Sequence, residues 1–110
     1  MPSTLEEGTI LNATIGTEYS LGTDPKTTST VAQVIVDLGN MAAGDITEIR
    51  IYRAARSGAS PKVVEIWTAV GAQGRPIFVS PPIIFTADWR VTLKQTAGTG
   101  KTYDWSIVAP

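Results

Sequence analysis

Thr47-Glu-Ile-Arg-Ile-Tyr-Arg53 can be read in two ways, and the choice sets the fold class. At a period of two, Ile49 and Ile51 point to one side, and Glu48, Arg50 and Tyr52 point to the other. At helical spacing, Ile46 lines up with Ile49, and Arg50 with Arg53. The β-branched content decides for a strand. Such side chains lose rotamer freedom against a helical turn and pack well on a pleated surface.

The flanking segments follow the same period. In Val31 to Leu38, the set Val34, Val36, Leu38 faces one way, and Gln33, Ile35 and Asp37 face the other. Val63 to Val70 is expected to turn Val64, Ile66 and Val70 inward, with Glu65 and Trp67 opposite. Trp89, Val91 and Leu93 alternate with Arg90, Thr92 and Lys94; Tyr103, Trp105 and Ile107 alternate with Asp104, Ser106 and Val108. Shorter strands are expected at Thr9–Ile15, Glu18–Leu21, Ile77–Val79 and Ile83–Phe85. Ser80-Pro81-Pro82 separates the last two, because proline cannot donate to a ladder and marks an edge or a crossover. Gly22 to Ser29 reads as an exposed loop, and Ala97-Gly-Thr-Gly100 as the turn of a hairpin joining the final strands.

About eight short strands with regular turn signals and no helix predict an all-β chain. The expectation is a single antiparallel β-sandwich over residues 1–110, with jelly-roll or immunoglobulin-like connectivity. The polar segment Met1–Gly8 is expected to be a flexible arm. The expected core is Val34, Val36, Ile49, Ile51, Ile66, Trp89, Val91, Leu93, Trp105 and Ile107.

Composition narrows the function. There is no histidine and no cysteine among the 110 residues, so the side chains that carry most acid–base, nucleophilic and metal chemistry near neutral pH are missing. The expectation is a protein that is not an enzyme and holds no metal or cofactor. A net charge of −1 offers no basic excess for nucleic acid, and no run is basic enough for anionic lipid or apolar enough to span a membrane. The N-terminus carries no secretory pattern.

Three chemical motifs fall short. Ala97-Gly-Thr-Gly-Lys-Thr102 suggests a phosphate loop, but Gln95 stands where the pattern needs its first glycine, and strands flank both sides. Asp37, Glu48, Glu65, Asp88 and Asp104 could in principle form a carboxylate pair of the glycosidase kind, but none sits in a motif. Asp24 and Asp45 lack the Asp-x-Asp spacing of a calcium loop. What remains are candidate contact residues. Arg50, Arg53 and Arg56 form a local basic cluster suited to an acidic partner surface, with Tyr52 within it. Trp67 is an aromatic expected away from the core. Trp67, Tyr52 and Tyr19 could alternatively stack on sugars, as in a carbohydrate-binding module.

The segment Pro81-Pro-Ile-Ile-Phe-Thr-Ala-Asp-Trp-Arg-Val-Thr-Leu-Lys-Gln-Thr-Ala-Gly-Thr-Gly-Lys-Thr-Tyr-Asp-Trp-Ser-Ile107 resembles small virion-associated proteins of tailed bacteriophages. Such proteins carry a Trp-x-x-Thr-Leu-x-Gln-Thr-x-Gly-Thr-Gly stretch and then an aromatic-rich last strand. The resemblance implies an all-β structural protein of the virion: a capsid decoration (cement) protein, or a tail or head–tail component. It implies copies of itself as partners, a trimer above all, docked on a major capsid or tail protein. It carries no catalytic residue.

Overall fold

The computed structural model describes residues 3–56, 58–86 and 88–110. Nine strands occur among them: β1 (Ser3–Ile10), β2 (Glu18–Ser20), β3 (Thr30–Asp37), β4 (Ile46–Arg53), β5 (Lys62–Val70), β6 (Ile77–Val79), β7 (Ile83–Phe85), β8 (Trp89–Ala97) and β9 (Tyr103–Ala109). They form two antiparallel sheets. One has the order β1-β9-β3-β6, with β7 also on β3; the other has the order β2-β8-β4-β5. The chain is the expected all-β sandwich, and Thr47–Arg53 lies in a strand with Ile49 and Ile51 buried.

The pairings nest. β4 pairs with β5, β3 with β6 and β7, β2 with β8, and β1 with β9. The chain is therefore one long antiparallel ribbon, folded back between β4 and β5 and rolled into two layers. Rolling adds the β3–β9 and β4–β8 pairings. This is jelly-roll connectivity; an immunoglobulin-like sandwich orders its strands differently. β6 and β7 share one place in the roll, broken at Ser80-Pro81-Pro82. Ser80 repairs the gap: Val34 N–H donates to Ser80 Oγ (2.9 Å), Ser80 N–H donates to the Val34 carbonyl (2.9 Å), and Gln33 Nε2 donates to the Ser80 carbonyl (2.9 Å).

Three expectations are corrected. First, Ala97–Gly100 is not a hairpin turn, because β8 and β9 lie in different sheets. It is a corner that crosses the sandwich. Turn residues announce that the chain bends, but not whether the next strand stays in the same layer. Second, Ser3 to Gly8 is no free arm but most of β1, paired with β9 from Ser3↔Ala109 to Ile10↔Tyr103 with a bulge at Leu5. An edge strand buries too little to show a clear apolar period. Met1 and Pro2 lie outside the described residues. Third, the side of β5 expected to face inward lies outside: Val64, Ile66 and Val70 are 53%, 43% and 65% exposed, so Ile66 is not core, whereas Trp67 packs inward. Pairing Ile66 with Arg50 and Trp67 with Ile49 fixes these directions.

The other expected core residues hold. Val34, Val36, Ile49, Ile51, Trp89, Val91, Leu93 and Ile107 are buried, and Trp105 is half-buried against the same cluster. Trp105 sits over Gly8, where an added Cβ would come within 3.0 Å of the indole. Burial on this scale contributes roughly 1.5–3 kcal/mol per large apolar side chain.

Candidate functional site

The three arginines do not form one patch. Arg50 lies on the outer face of the β2-β8-β4-β5 sheet and donates to Glu48 Oε1 from Nη2 (2.8 Å) and Nε (3.3 Å). Arg53 has the opposite parity and sits at the end of β4, beside Trp89 and Lys62 in register. Arg56 is exposed in the following loop. Tyr52 shares the face of Arg50. Its hydroxyl donates to Glu18 Oε2 (2.6 Å), and the Arg90 guanidinium lies 4.0 Å from its ring centre. Thr92 donates to the same Glu18 oxygen (2.5 Å). Partial burial opposes ionisation of Glu18, but the hydrogen bonds from Thr92 and Tyr52 and the charges of Arg50 and Arg90 prevail and hold its pKa below the ordinary value. On this face Glu18, Tyr52, Thr92, Arg50 and Arg90 form a polar network, flanked on β5 by the exposed Ile66 and Val70.

Trp67 is not an outward anchor. It is half-buried and packs on Phe78 of β6, ring centres 5.2 Å apart at 56°. That contact joins the free edges of the two sheets and floors a cleft of about 340 Å³ lined by residues such as Leu38, Ile49, Ala69 and Arg75. The outer faces of the strands at this edge also expose apolar side chains, those of β5 on one sheet and those of β6 and β7 on the other. Val63, Val64, Ile66 and Val70 of β5, Ile77 and Val79 of β6, and Ile84 of β7 are all more than 40% exposed. Neither the hydropathy period nor any motif singled out these residues as a surface. The signal was present in β5 itself, Lys-Val-Val-Glu-Ile-Trp-Thr-Ala-Val, which is apolar at both parities. A two-layer sandwich buries only one face of each strand, so one apolar set had to remain outside.

The opposite edge is sealed. Lys26, in the loop expected to be fully exposed, is buried at 4% exposure. Its Nζ donates to Glu6 Oε1 (2.6 Å), the Leu21 carbonyl (2.5 Å) and the Thr23 carbonyl (3.0 Å), and lies 5.7 Å from the centre of the Trp89 ring. Glu6 Oε2 accepts from Thr23 N–H (2.7 Å) and Thr23 Oγ1 (3.1 Å). Desolvation raises the Glu6 pKa, yet the bonds from Lys26 and Thr23 outweigh it and leave it lowered. Gly22, at φ +82°, leaves room for this carboxylate, which an added Cβ would meet.

The corner between β8 and β9 is held by buried polar groups. Gln95 Nε2 donates to the carbonyls of Ala97 (3.0 Å) and Thr99 (2.9 Å). Its Oε1 accepts from Lys101 N–H (3.0 Å) and Tyr103 Oη (2.9 Å), so Tyr103 accepts in turn from Thr47 Oγ1 (2.7 Å). Asp45 Oδ1 accepts from Thr99 N–H (3.1 Å), and Oδ2 accepts from Ala42 N–H (2.9 Å) and pairs with Lys101 Nζ (3.1 Å). At Gly100 a side chain would strike the Ala13 carbonyl. The segment that suggested a phosphate loop is therefore filled by the protein's own groups.

The remaining carboxylates stand apart. Asp37 accepts from Gly39 N–H (2.8 Å), Asp104 from Thr9 Oγ1 (2.6 Å), and Asp88 from Gly58 N–H (3.4 Å); Glu65 is exposed on β5. Among the described residues no cluster of three or more acidic side chains could hold a metal ion. Comparison with protein-family models, with curated proteins and with solved structures returned no match.

Proposed function

We propose that this chain is a virion structural protein: a capsid decoration protein that oligomerises, as a trimer about a local symmetry axis, and stabilises the particle by binding the capsid lattice. It acts by burying surface, not by catalysis. A tail or head–tail component would use the same mechanism on another lattice. The observation that supports the assembly part is the apolar side chains that β5 and β6 leave in water on the outer faces of the two sheets. The virion part rests on the resemblance of Pro81–Ile107, which supplies β7, β8 and β9, with β8 and β9 inside the two sheets. The carbohydrate-binding alternative is less well supported. Trp67 packs on Phe78, Tyr52 is hydrogen-bonded beneath Arg90, and the Tyr19 hydroxyl accepts from Thr14 N–H (2.8 Å).

Mass spectrometry and imaging of purified virions from the source test the proposal. The chain is expected among the structural proteins; its absence discards the reading. A saturable change in tryptophan fluorescence with a glycan, abolished by Trp67→Ala, would favour the carbohydrate module instead.

A further inference from the structure

We infer that the cleft at the end of β4 and the start of β5 binds an acidic segment of a partner protein, a carboxylate set among apolar side chains. The inference rests on the assembly reading above and assigns the chemistry of one contact. The cleft holds about 610 Å³, and its lining includes Arg53, Ala54, Ala59, Ser60, Lys62 and Val64. That volume lies within the roughly 300–1,000 Å³ of ligand sites. Arg53 and Lys62 face each other in register across the β4–β5 ladder. Like charges directly opposite on one face destabilise a sheet. Elsewhere the chain answers its cations: Lys26, Arg50, Arg90 and Lys101 each reach a carboxylate. Arg53 and Lys62 have no ion pair among the described residues. A carboxylate between them would remove a repulsion and gain charge-assisted hydrogen bonds.

The rest of the lining selects what carries the carboxylate. Ala54, Ala59 and Val64 present methyl groups, against which an inorganic anion would lose water without replacement. The Gly58 N–H of the adjoining loop is already taken by Asp88 Oδ2 (3.4 Å). A carboxylate on an apolar stem fits better: its oxygens meet the two cations and the Ser60 hydroxyl, and its neighbours cover the methyl groups. A second copy is a poor source of it. The one pair of adjacent acids in the chain, Glu6 and Glu7, lies within β1, where Lys26 and Thr23 hold Glu6. The segment therefore belongs to a different chain, which in the reading above is the lattice protein.

Fluorescence polarisation of a labelled short peptide alternating glutamate with leucine, titrated with the full chain at low salt, tests this. Saturable binding is expected with a dissociation constant below about 1 mM, and the glutamine counterpart of the peptide should bind at least about tenfold more weakly. Arg53→Gln/Lys62→Gln is expected to lose at least about tenfold with an unchanged far-UV circular dichroism spectrum. Arg75→Gln/Lys94→Gln, which removes the same charge outside the cleft, is expected to bind as the wild type does. Ala55→Trp fills the cleft from an exposed wall without changing the charge. It should weaken binding as the double variant does, and it serves in its place should that variant misfold. A wild-type chain that does not bind up to about 1 mM, or a folded cleft variant that binds normally, overturns the inference. So does displacement of the peptide by phosphate at an ionic strength matched with sodium chloride, which would make this a site for free anions. A dimer in sedimentation velocity that Arg53→Gln/Lys62→Gln abolishes would put a second copy in the cleft and overturn it too. Each of these results leaves the virion reading to its own test.

Discussion

The β1/β2 edge and the β5/β6 edge close the two long sides of one sandwich by opposite means. At β1/β2 a buried lysine, a carboxylate and two backbone carbonyls tie the sheets together, with polar side chains outside. At β5/β6 one tilted aromatic pair spans the sheets, and the exterior is valine and isoleucine. Every open sandwich has such edges to deal with. The first edge is completed by the chain's own side chains. The second leaves apolar side chains of both strands in water, so the two edges differ in how far the chain's own groups cover them.

Lys26→Met is the strongest way to break that comparison. It strands the Glu6 carboxylate and leaves the Leu21 and Thr23 carbonyls without their donor. Loss of one partner of a buried pair costs about 3–5 kcal/mol, and the partial exposure of Glu6 favours the lower end. Urea unfolding followed by tryptophan fluorescence should show the fall; a loss under about 0.5 kcal/mol, the range of neutral surface changes, would mean that Lys26 does not seal the edge.

Acid sharpens it with a smaller effect. The folded-state pKa of Glu6 is depressed, so its contribution is full above the unfolded-state value of about 4.3 and is lost as pH falls through the lower folded value. The protonated carboxyl can still bond to Thr23, so the loss should be less than that of Lys26→Met. Stability measured between about pH 6 and pH 3 should decline for the wild type and decline less steeply for Lys26→Met, which lacks the partner. Parallel acid limbs for the two proteins would refute the assignment.

The smallest effect belongs to the open edge. Val79→Thr changes a side chain that is 51% exposed and keeps its β-branched shape, so monomer stability should stay within about 0.5 kcal/mol. The measurement must be made at a dilution where copies separate, because association would add its own stabilisation. A loss above about 1 kcal/mol would show that Val79 is part of the core, and the contrast between the edges would weaken.

Much of the architecture was legible from local chemistry. The period of two placed Val34, Val36, Ile49, Ile51, Val91 and Leu93 inside, and the Ser80-Pro81-Pro82 break fell where β6 gives way to β7. The candidate contact residues were only half legible. Arg50 and Tyr52 lie outward as read, but their partners Glu48 and Glu18 absorb them. Lys26 and Gln95 look like solvent residues in any local window; their burial depends on carbonyls and a carboxylate brought from distant strands.

The sequence by itself determined the strand period, most of the turn positions and the absence of histidine and cysteine, because each depends on neighbouring residues or on composition alone; the strand expected over Thr9–Ile15 ends at Ile10, where the chain turns. Only the tertiary structure decided that Ala97–Gly100 crosses between sheets, that Ser3–Gly8 belongs to β1, and that Trp67 rather than Ile66 faces the core. Those outcomes are set by register with strands remote in the chain. A strand apolar on both faces, or polar along an edge, carries no local preference that could have chosen between them.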